Sequence, residues 1–243
     1  MKGVILAGGS GSRLRPITQY LNKHLFPVYN KPMILFPIET MKRIGIYDII
    51  VVTDRFRGDK IVEFLGSGKD FGVSITYKFQ EKPDGIGKAI KISESLIGND
   101  NVIVMLGDNI VFDDLTSTVR EFKGGCSIFL KEVFDPERFG VPKFDSQRNI
   151  IRIIEKPAIP PSKYAVTGIY IFDSSVFNKI DQCSPSARGE LEIVDILEKY
   201  VAEKKLGYEI LNNIWIDAGT FESLHEASKF VRDLEIKNSL KVG

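Results

Sequence analysis

The sequence predicts an α/β protein: a mostly parallel central sheet with helices on both faces and a small β-rich insert. Three observations carry this. Short apolar, β-branched runs bounded by turn residues recur along the chain, as buried strands do. Segments with helical apolar spacing lie between several of them, and strand then helix, repeated, makes a parallel sheet covered on both sides. A glycine-rich loop follows the first run directly, where such sheets hold ligands at the carboxyl ends of their strands.

In order, Gly3 to Ala7 is the first strand, since the apolar part of Met1-Lys2-Gly3-Val4-Ile5-Leu6-Ala7 is too short for a signal peptide's centre. Met33 to Ile44 is a helix, Ile49 to Thr53 a strand, Lys60 to Leu65 a helix and Val73 to Tyr77 a strand. Gly87 to Ile97 is a helix with Ala89, Ile90, Ser93 and Ile97 on one face and its lysines and Glu94 turned outward. Val102 to Leu106 and Ser127 to Leu130 are further buried strands. From Phe134 to Pro161 extended runs flank a turn at Ser146-Gln147-Arg148-Asn149, and Pro157-Ala158-Ile159-Pro160-Pro161 must be extended. This is a hairpin-rich insert, and its run Ile150 to Ile154 is expected to be a buried strand, as is Ile169 to Phe172. Thr220 to Asn238 reads as a helix with Thr220 as its N-cap and Ser223, Leu224, Ala227, Phe230, Val231 and Leu234 at three- and four-residue steps. The chain has no internal repeat and no low-complexity linker.

A chain of 243 residues buries roughly 70% of the surface its unfolded form exposes, ample for a core. With 43% hydrophobic and 27% charged residues its composition is ordinary for a globular protein. The 33 Lys and Arg against 32 Asp and Glu leave a net charge of +1, so no global field holds nucleic acid or an acidic membrane, and any anion must be held locally. Cys126 and Cys183 form no metal-binding or redox spacing and are expected to be buried thiols. No stretch approaches the about 18 apolar residues of a membrane helix, so a cytoplasmic, reducing location is expected.

The loop Gly8-Gly9-Ser10-Gly11-Ser12-Arg13-Leu14-Arg15-Pro16 is where an α/β protein cradles phosphate on backbone N–H groups. Two familiar phosphate loops fail against it. A dinucleotide fingerprint started at Gly9 places Leu14 at its last glycine, with no acidic residue before Glu39, and no Gly-Lys-Ser/Thr closes a P-loop. An NAD-dependent oxidoreductase is therefore a poor reading. Glycines remain, with Arg13 and Arg15 in the loop and Lys23 shortly after.

Leu6-Ala7-Gly8-Gly9-Ser10-Gly11-Ser12-Arg13-Leu14, followed by Asn22-Lys23-His24-Leu25-Phe26-Pro27-Val28 and Lys31-Pro32-Met33, resembles the signature of the sugar-nucleotide pyrophosphorylases. These nucleotidyltransferases join a sugar 1-phosphate to a nucleoside triphosphate and release pyrophosphate. Seven further segments match in family order: Phe79-Gln80-Glu81-Lys82-Pro83-Asp84-Gly85, Leu106-Gly107-Asp108-Asn109, Asp135-Pro136-Glu137-Arg138-Phe139-Gly140-Val141, Glu155-Lys156-Pro157, Tyr164-Ala165-Val166-Thr167-Gly168, Arg188-Gly189-Glu190-Leu191-Glu192-Ile193 and Trp215-Ile216-Asp217-Ala218-Gly219-Thr220. The resemblance implies a Rossmann-like sheet of the nucleotide-diphospho-sugar transferase type with a sugar-binding insert. It implies one domain over 1–243: a nucleotide-binding part over about 1–132, a sugar-binding part over about 133–220 and the helix over about 220–238. The length leaves no room for the β-helix acyltransferase domain or the added helices of longer relatives. An acyltransferase activity is therefore not expected, and those relatives' assembly and effector site do not carry over, although a homo-oligomer remains open.

The implied reaction brings a sugar-phosphate dianion against the α-phosphate of a triphosphate, so catalysis is mainly positioning and charge neutralisation. The attacking phosphate oxygen is already ionised and needs no general base. His225, on the last helix, is expected to be structural or solvated. By resemblance the catalytic cations are Arg13, Lys23 and Lys156. Arg13 and Lys23 would hold the triphosphate, with Arg13 near the departing pyrophosphate, while Lys156 and Arg188 would hold the sugar phosphate. Each charge-assisted hydrogen bond is worth roughly 1.5–3 kcal/mol. Leu6, Gly8, Gly9, Gly11, Ser12, Gln80, Pro83, Gly85 and Asp108 complete the implied nucleotide site, and Gly140, Glu155, Val166 and Gly168 the sugar pocket.

Asp108 and Asp217 are the implied Mg²⁺ ligands, because Mg²⁺ takes one or two carboxylates and fills its shell with water and phosphate oxygens. Gln80 offers a donor and an acceptor, the complement of the imide edge of thymine or uracil. The loop Pro83-Asp84-Gly85 resembles the family's thymine version, so dTTP and glucose 1-phosphate are the expected substrates. UTP in place of dTTP, and a non-catalytic nucleotide-sugar-binding regulatory subunit, are the alternatives. Ser12, His24 and Phe139 stand where the family commonly has threonine, glutamine and tyrosine. The last change removes a polar contact in the sugar region, and His24 beside Lys23 is expected to add charge below neutral pH.

Overall fold

A computed structural model describes residues 1–242. Its strands are β1 (Lys2–Ala7), β2 (Pro27–Val28), β3 (Lys31–Pro32), β4 (Asp48–Asp54), β5 (Ser74–Gln80), β6 (Val102–Leu106), β7 (Asn109–Val111), β8 (Cys126–Glu132), β9 (Gly140–Phe144), β10 (Ile150–Glu155), β11 (Tyr164–Phe172), β12 (Leu206–Ile210) and β13 (Trp215–Asp217). Its α-helices are α1 (Leu35–Arg43), α2 (Asp59–Leu65), α3 (Ile86–Ile92), α4 (Glu94–Ile97), α5 (Thr116–Glu121), α6 (Val176–Asp181), α7 (Ile193–Ala202) and α8 (Phe221–Val242).

A seven-stranded sheet runs β12-β8-β11-β6-β1-β4-β5. Its neighbours are parallel except at β11, which is antiparallel to both β6 and β8. Side chains alternate across a strand, so Val4 and Leu6 of β1 pack with Ala89, Ile90, Ile196 and Leu197 of α3 and α7. Ile5 and Ala7 pack on the opposite face with Ile38 and Met41 of α1 and Ile61 and Leu65 of α2. Burial on both faces is why β1 reads as a continuous apolar run rather than an alternating one.

Ile150 to Ile154 departs from expectation. As β10 it pairs with β9 in a separate hairpin, with Ile153 buried but Ile151 48% exposed. Arg152, facing solvent in the middle of the run, is the sign that one face is wet. The helix expected over Gly87 to Ile97 divides at Ser93, whose Oγ donates to Ile90 O at 2.6 Å, a local bond that competes with the helical ladder. Its inward face is nevertheless buried at Ala89, Ile90, Ser93 and Ile97. The strand seen as Ile169 to Phe172 begins at Tyr164, and its pairing with β8 shifts register between Val166 and Tyr170. Thr167, which donates through Oγ1 to Phe129 O at 2.9 Å, and Gly168 interrupt its apolar pattern.

Thr220 caps α8 by accepting the N–H of Ser223 at 3.1 Å. The helix passes Asn238 to Val242 and lays Ala227 and Val231 over Leu14, Val28 and Ile110, roofing the segment that follows the glycine loop. Among the described residues no helix is long and apolar enough to cross a membrane.

Candidate functional site

The carboxyl ends of β1, β5 and β6 open into one cleft of about 760 Å³, closed on its far side by β9, β10 and β11. At its floor Ala7 O accepts from Asn22 Nδ2 at 3.0 Å and Thr53 Oγ1 at 3.2 Å. The loop beyond turns through left-handed glycines, and at Gly11 (φ 59°) a Cβ would stand 2.8 Å from Thr18 Cγ2. Arg57, on the loop after β4, donates to the carbonyls of Gly9 at 3.2 Å, Ser10 at 3.2 Å and Thr18 at 2.7 Å. A cation thus engages loop oxygens that would otherwise repel a phosphate. Leu14 is fully buried and anchors the short turn Ser12–Leu14 that carries Arg13.

Asp108 follows β6 and is ion-paired with Lys23. Burial alone would raise the Asp108 carboxyl, but Lys23, His24 and the amide of Asn109 hold it well below the usual carboxylate range. Asp217 ends β13, opposite Asn109 of β7, with Arg13 Nη2 3.6 Å from its Oδ2. Burial and then the charge of Asp108 push its carboxyl up, against Arg13 and Lys23. The two carboxylates therefore sense one another. Asn109 ties the region together: its Nδ2 donates to Asp108 Oδ1 at 3.1 Å, while its Oδ1 accepts from the N–H of Gly168 at 2.9 Å and from Trp215 Nε1 at 2.7 Å.

His24 corrects an expectation. Its imidazole is buried, and burial together with the Lys23 charge lowers its pKa to about 3, so it adds no charge just below neutral pH. Its Nδ1 lies 2.7 Å from Asn22 Oδ1. The Asn22 amide donates through its nitrogen to Ala7 O and Asp54 Oδ2, so its oxygen is the acceptor and the His24 proton sits on Nδ1.

At the β5 end of the cleft Gln80, 7% exposed, donates through Nε2 to Asp84 Oδ1 at 2.5 Å and to Gly85 O at 3.3 Å. Its donor is therefore engaged within the loop, unlike the free donor-acceptor pair expected from the residue type. Gly85 has φ 102°, and a Cβ there would come within 2.5 Å of Leu191 O. The loop is strapped down by Leu191 N–H to Asp84 O at 2.9 Å and Gly87 N–H to Leu191 O at 3.0 Å.

At the far end Glu155 of β10 faces Gly140 of β9 in the hairpin register. Lys156 has a left-handed backbone (φ 42°) and donates its N–H to Phe139 O at 2.9 Å. Its Nζ lies 3.3 Å from Glu155 Oε1. Arg188 pairs with Glu192 at 2.9 Å and reaches to 3.8 Å from Glu155. Phe139, lacking a hydroxyl, packs edge-on against Trp215 with centroids 5.4 Å apart.

Every residue that the resemblance assigned to the site lines this cleft: Leu6, Gly8, Gly9, Gly11, Ser12, Arg13, Lys23, Gln80, Pro83, Gly85, Asp108, Gly140, Glu155, Lys156, Val166, Gly168, Arg188 and Asp217; Arg15 of the glycine loop does not. Asn109 and Glu192 line it too, and with Arg57 they hold lining residues through hydrogen bonds and ion pairs; the sequence assigned none of the three a role. Asn109 and Glu192 lay inside matched motifs, whereas nothing local marked Arg57. Among the described residues no three His, Cys, Asp or Glu side chains form a metal cluster. The donor set at Asp108 and Asp217 is a pair of hard carboxylate oxygens, the type Mg²⁺ completes with water and phosphate.

A family model described as nucleotidyl transferase matches residues 2–233. The chain is 44% identical over 248 residues to the glucose-1-phosphate thymidylyltransferase of Neisseria meningitidis serogroup A, the match covering 100% of this chain and 86% of the relative. It is 42% identical over 248 residues to the enzyme of that name from Mycolicibacterium smegmatis, with the same coverage. Among solved structures, a provisional glucose-1-phosphate thymidylyltransferase from Bacillus anthracis, in complex with sucrose, superposes with a TM-score of 0.91 at 50% identity over 96% of each chain. A UDP-glucose pyrophosphorylase complexed with UDP-glucose shares the fold, with a TM-score of 0.85 at 24% identity over 96% of this chain and 98% of that one.

Proposed function

Because the chain belongs to the nucleotidyl transferase family, we propose that it transfers a thymidylyl group from dTTP to glucose 1-phosphate, giving dTDP-glucose and pyrophosphate. The observation that carries this is the likeness to thymidylyltransferases over the whole chain, joined to a cleft where cations from separate segments converge. The nucleotide lies at the β1 loop and the sugar at the β9–β11 side. Arg13 and Lys23 neutralise the triphosphate, and Lys156 and Arg188 orient the sugar phosphate for attack on the α-phosphate. Before substrate enters, these cations rest on Asp217, Asp108, Glu155 and Glu192. Phosphate oxygens would compete with those carboxylates for the cations, and the buried Asp108 and Asp217 carboxylates released in this way would need the charge of a bound metal ion.

Asp108 and Asp217 fit a magnesium ion, whose charge offsets that of the phosphates when it is bound. Gly140 and Gly168 border the hexose pocket beside Val166, and the Glu155 carboxylate accepts from the sugar hydroxyls. The attacking oxygen needs no base, in keeping with a His24 that is neutral and bonded away to Asn22. The two free thiols suit a reducing compartment such as the cytoplasm.

Incubation with dTTP, glucose 1-phosphate and Mg²⁺ is expected to form dTDP-glucose and pyrophosphate in equal amounts, with no pyrophosphate when the sugar phosphate is omitted. Pyrophosphate formed without the sugar, or a product lacking the hexose, would count against the transfer.

A further inference from the structure

Gln80 and Asp84 are four residues apart at the base end of the cleft, and their side chains meet at 2.5 Å. An ionised carboxylate only accepts hydrogen bonds, so the Gln80 atom facing it has to be the amide nitrogen. The remaining N–H is directed at a second acceptor, Gly85 O, at 3.3 Å. Both donors of the amide are thereby engaged. Its oxygen is left on the opposite side, toward the glycine loop, where a Cβ on Gly8 would stand only 3.3 Å from Oε1.

The backbone that carries this carboxylate is held in place. Asp84 O accepts from Leu191 N–H and Asp84 N–H donates to Lys82 O, both at 2.9 Å, and Gly85 packs against the Leu191 backbone too tightly for any Cβ. The ordinary task of an aspartate just before a helix is capping. Among the described residues no side chain caps the first turn of α3, so that task does not account for Asp84.

Resting on the nucleotidyltransferase reading above, we infer that Asp84 is a positioning residue that fixes the sense of the Gln80 amide. Gln80 then presents an acceptor to the nucleobase and selects a ring that carries a proton there. Thymine and uracil carry that proton at N3. Cytosine has a lone pair at N3 and is repelled by a fixed carbonyl oxygen. With a neutral amide at position 84 only the longer bond to Gly85 O, at 3.3 Å, still opposes the Gln80 side chain turning over to present its N–H₂ and accept cytosine.

The test is kcat/KM for dTTP and for dCTP with glucose 1-phosphate and Mg²⁺, in the wild-type protein and in Asp84→Asn, with the melting temperature of each recorded. The ratio of dTTP to dCTP is expected to fall by about tenfold or more in Asp84→Asn. General loosening of the loop lowers both rates together and leaves the ratio alone, and an unchanged ratio overturns the inference. In a Gln80→Ala background the same change is expected to do nothing further to the ratio; a further fall means that Asp84 meets the base directly. Should Asp84→Asn fold poorly, Asp84→Ser carries the same expectation. Wild-type protein that ignores dTTP altogether contradicts the reading of function, whereas wild-type activity with an unaltered ratio in the variants contradicts only the role of Asp84.

Discussion

Lys23 and Asp108 form an ion pair at the floor of the cleft, with side chains only 15% and 8% exposed. Each charge is what makes burial of the other tolerable. Removing one partner from such a pair costs about 3–5 kcal/mol, because the other is left uncompensated, while removing both costs far less. Lys23→Met is therefore expected to be strongly destabilised, and Lys23→Met/Asp108→Asn to recover much of the loss. Urea unfolding of the four proteins of this cycle checks it; additive losses would mean that the pair is not coupled.

Asp108 lies in the turn between β6 and β7, and Asp217 ends β13, which pairs with β7; the Asp217 carboxyl feels the charge of Asp108. Asp108→Asn and Asp217→Asn are each expected to lose most turnover while remaining folded at the assay temperature, Asp108→Asn with the lowered stability that an unpaired Lys23 brings. Raised Mg²⁺ is expected to recover part of the rate, since one carboxylate ligand remains in each. Turnover like that of wild type in either variant would remove that residue from the metal site.

Asn109 serves Asp108, Gly168 and Trp215 at once. Asn109→Ala leaves the Gly168 N–H and the Trp215 indole N–H without their acceptor, at about 1–3 kcal/mol for each buried donor. The expected outcome is a loss of unfolding free energy of about 2 kcal/mol or more, with a raised KM for the sugar phosphate, because Gly168 borders its pocket. A variant as stable as wild type would show that water replaces the amide.

His24 makes stability depend on acidity. In the folded protein burial holds its imidazole near pKa 3, against the ordinary 6.5. Between those values the unfolded chain binds a proton that the folded chain does not, so stability falls as pH falls through that window. From pH 7 to pH 5 this one group costs about 2 kcal/mol. His24→Gln is expected to flatten the dependence by that amount, read from unfolding curves at the two pH values, and equal slopes in both proteins would contradict it.

Most of the parallel part of the fold was legible because β1, β4 and β6 are buried on both faces and so appear as unbroken β-branched runs. Strand β10 misled because a half-exposed hairpin strand with four isoleucines resembles a buried one, Arg152 alone betraying its wet face. The start of β11 was hidden by Thr167 and Gly168, which interrupt its apolar run, the short β7 and β13 carry too few residues to show a period, and Gly207 and Glu209 break the apolar pattern of β12. At the site, residue types and motifs brought the right side chains to one cleft. Which partners they hold was not legible, because Lys23 with Asp108 and Arg57 with the Gly9 carbonyl join segments far apart in the chain. The free donor of Gln80 and a titrating His24 were misjudged for the same reason: Asp84 and burial, respectively, set their behaviour.

Thymidylyl transfer to glucose 1-phosphate is read from pyrophosphate release by the purified protein with Mg²⁺ across a grid of nucleoside triphosphates and sugar 1-phosphates. The expected result is that dTTP with glucose 1-phosphate gives the highest kcat/KM in the grid. No release with any pair, or release with UTP exceeding that with dTTP, would contradict it.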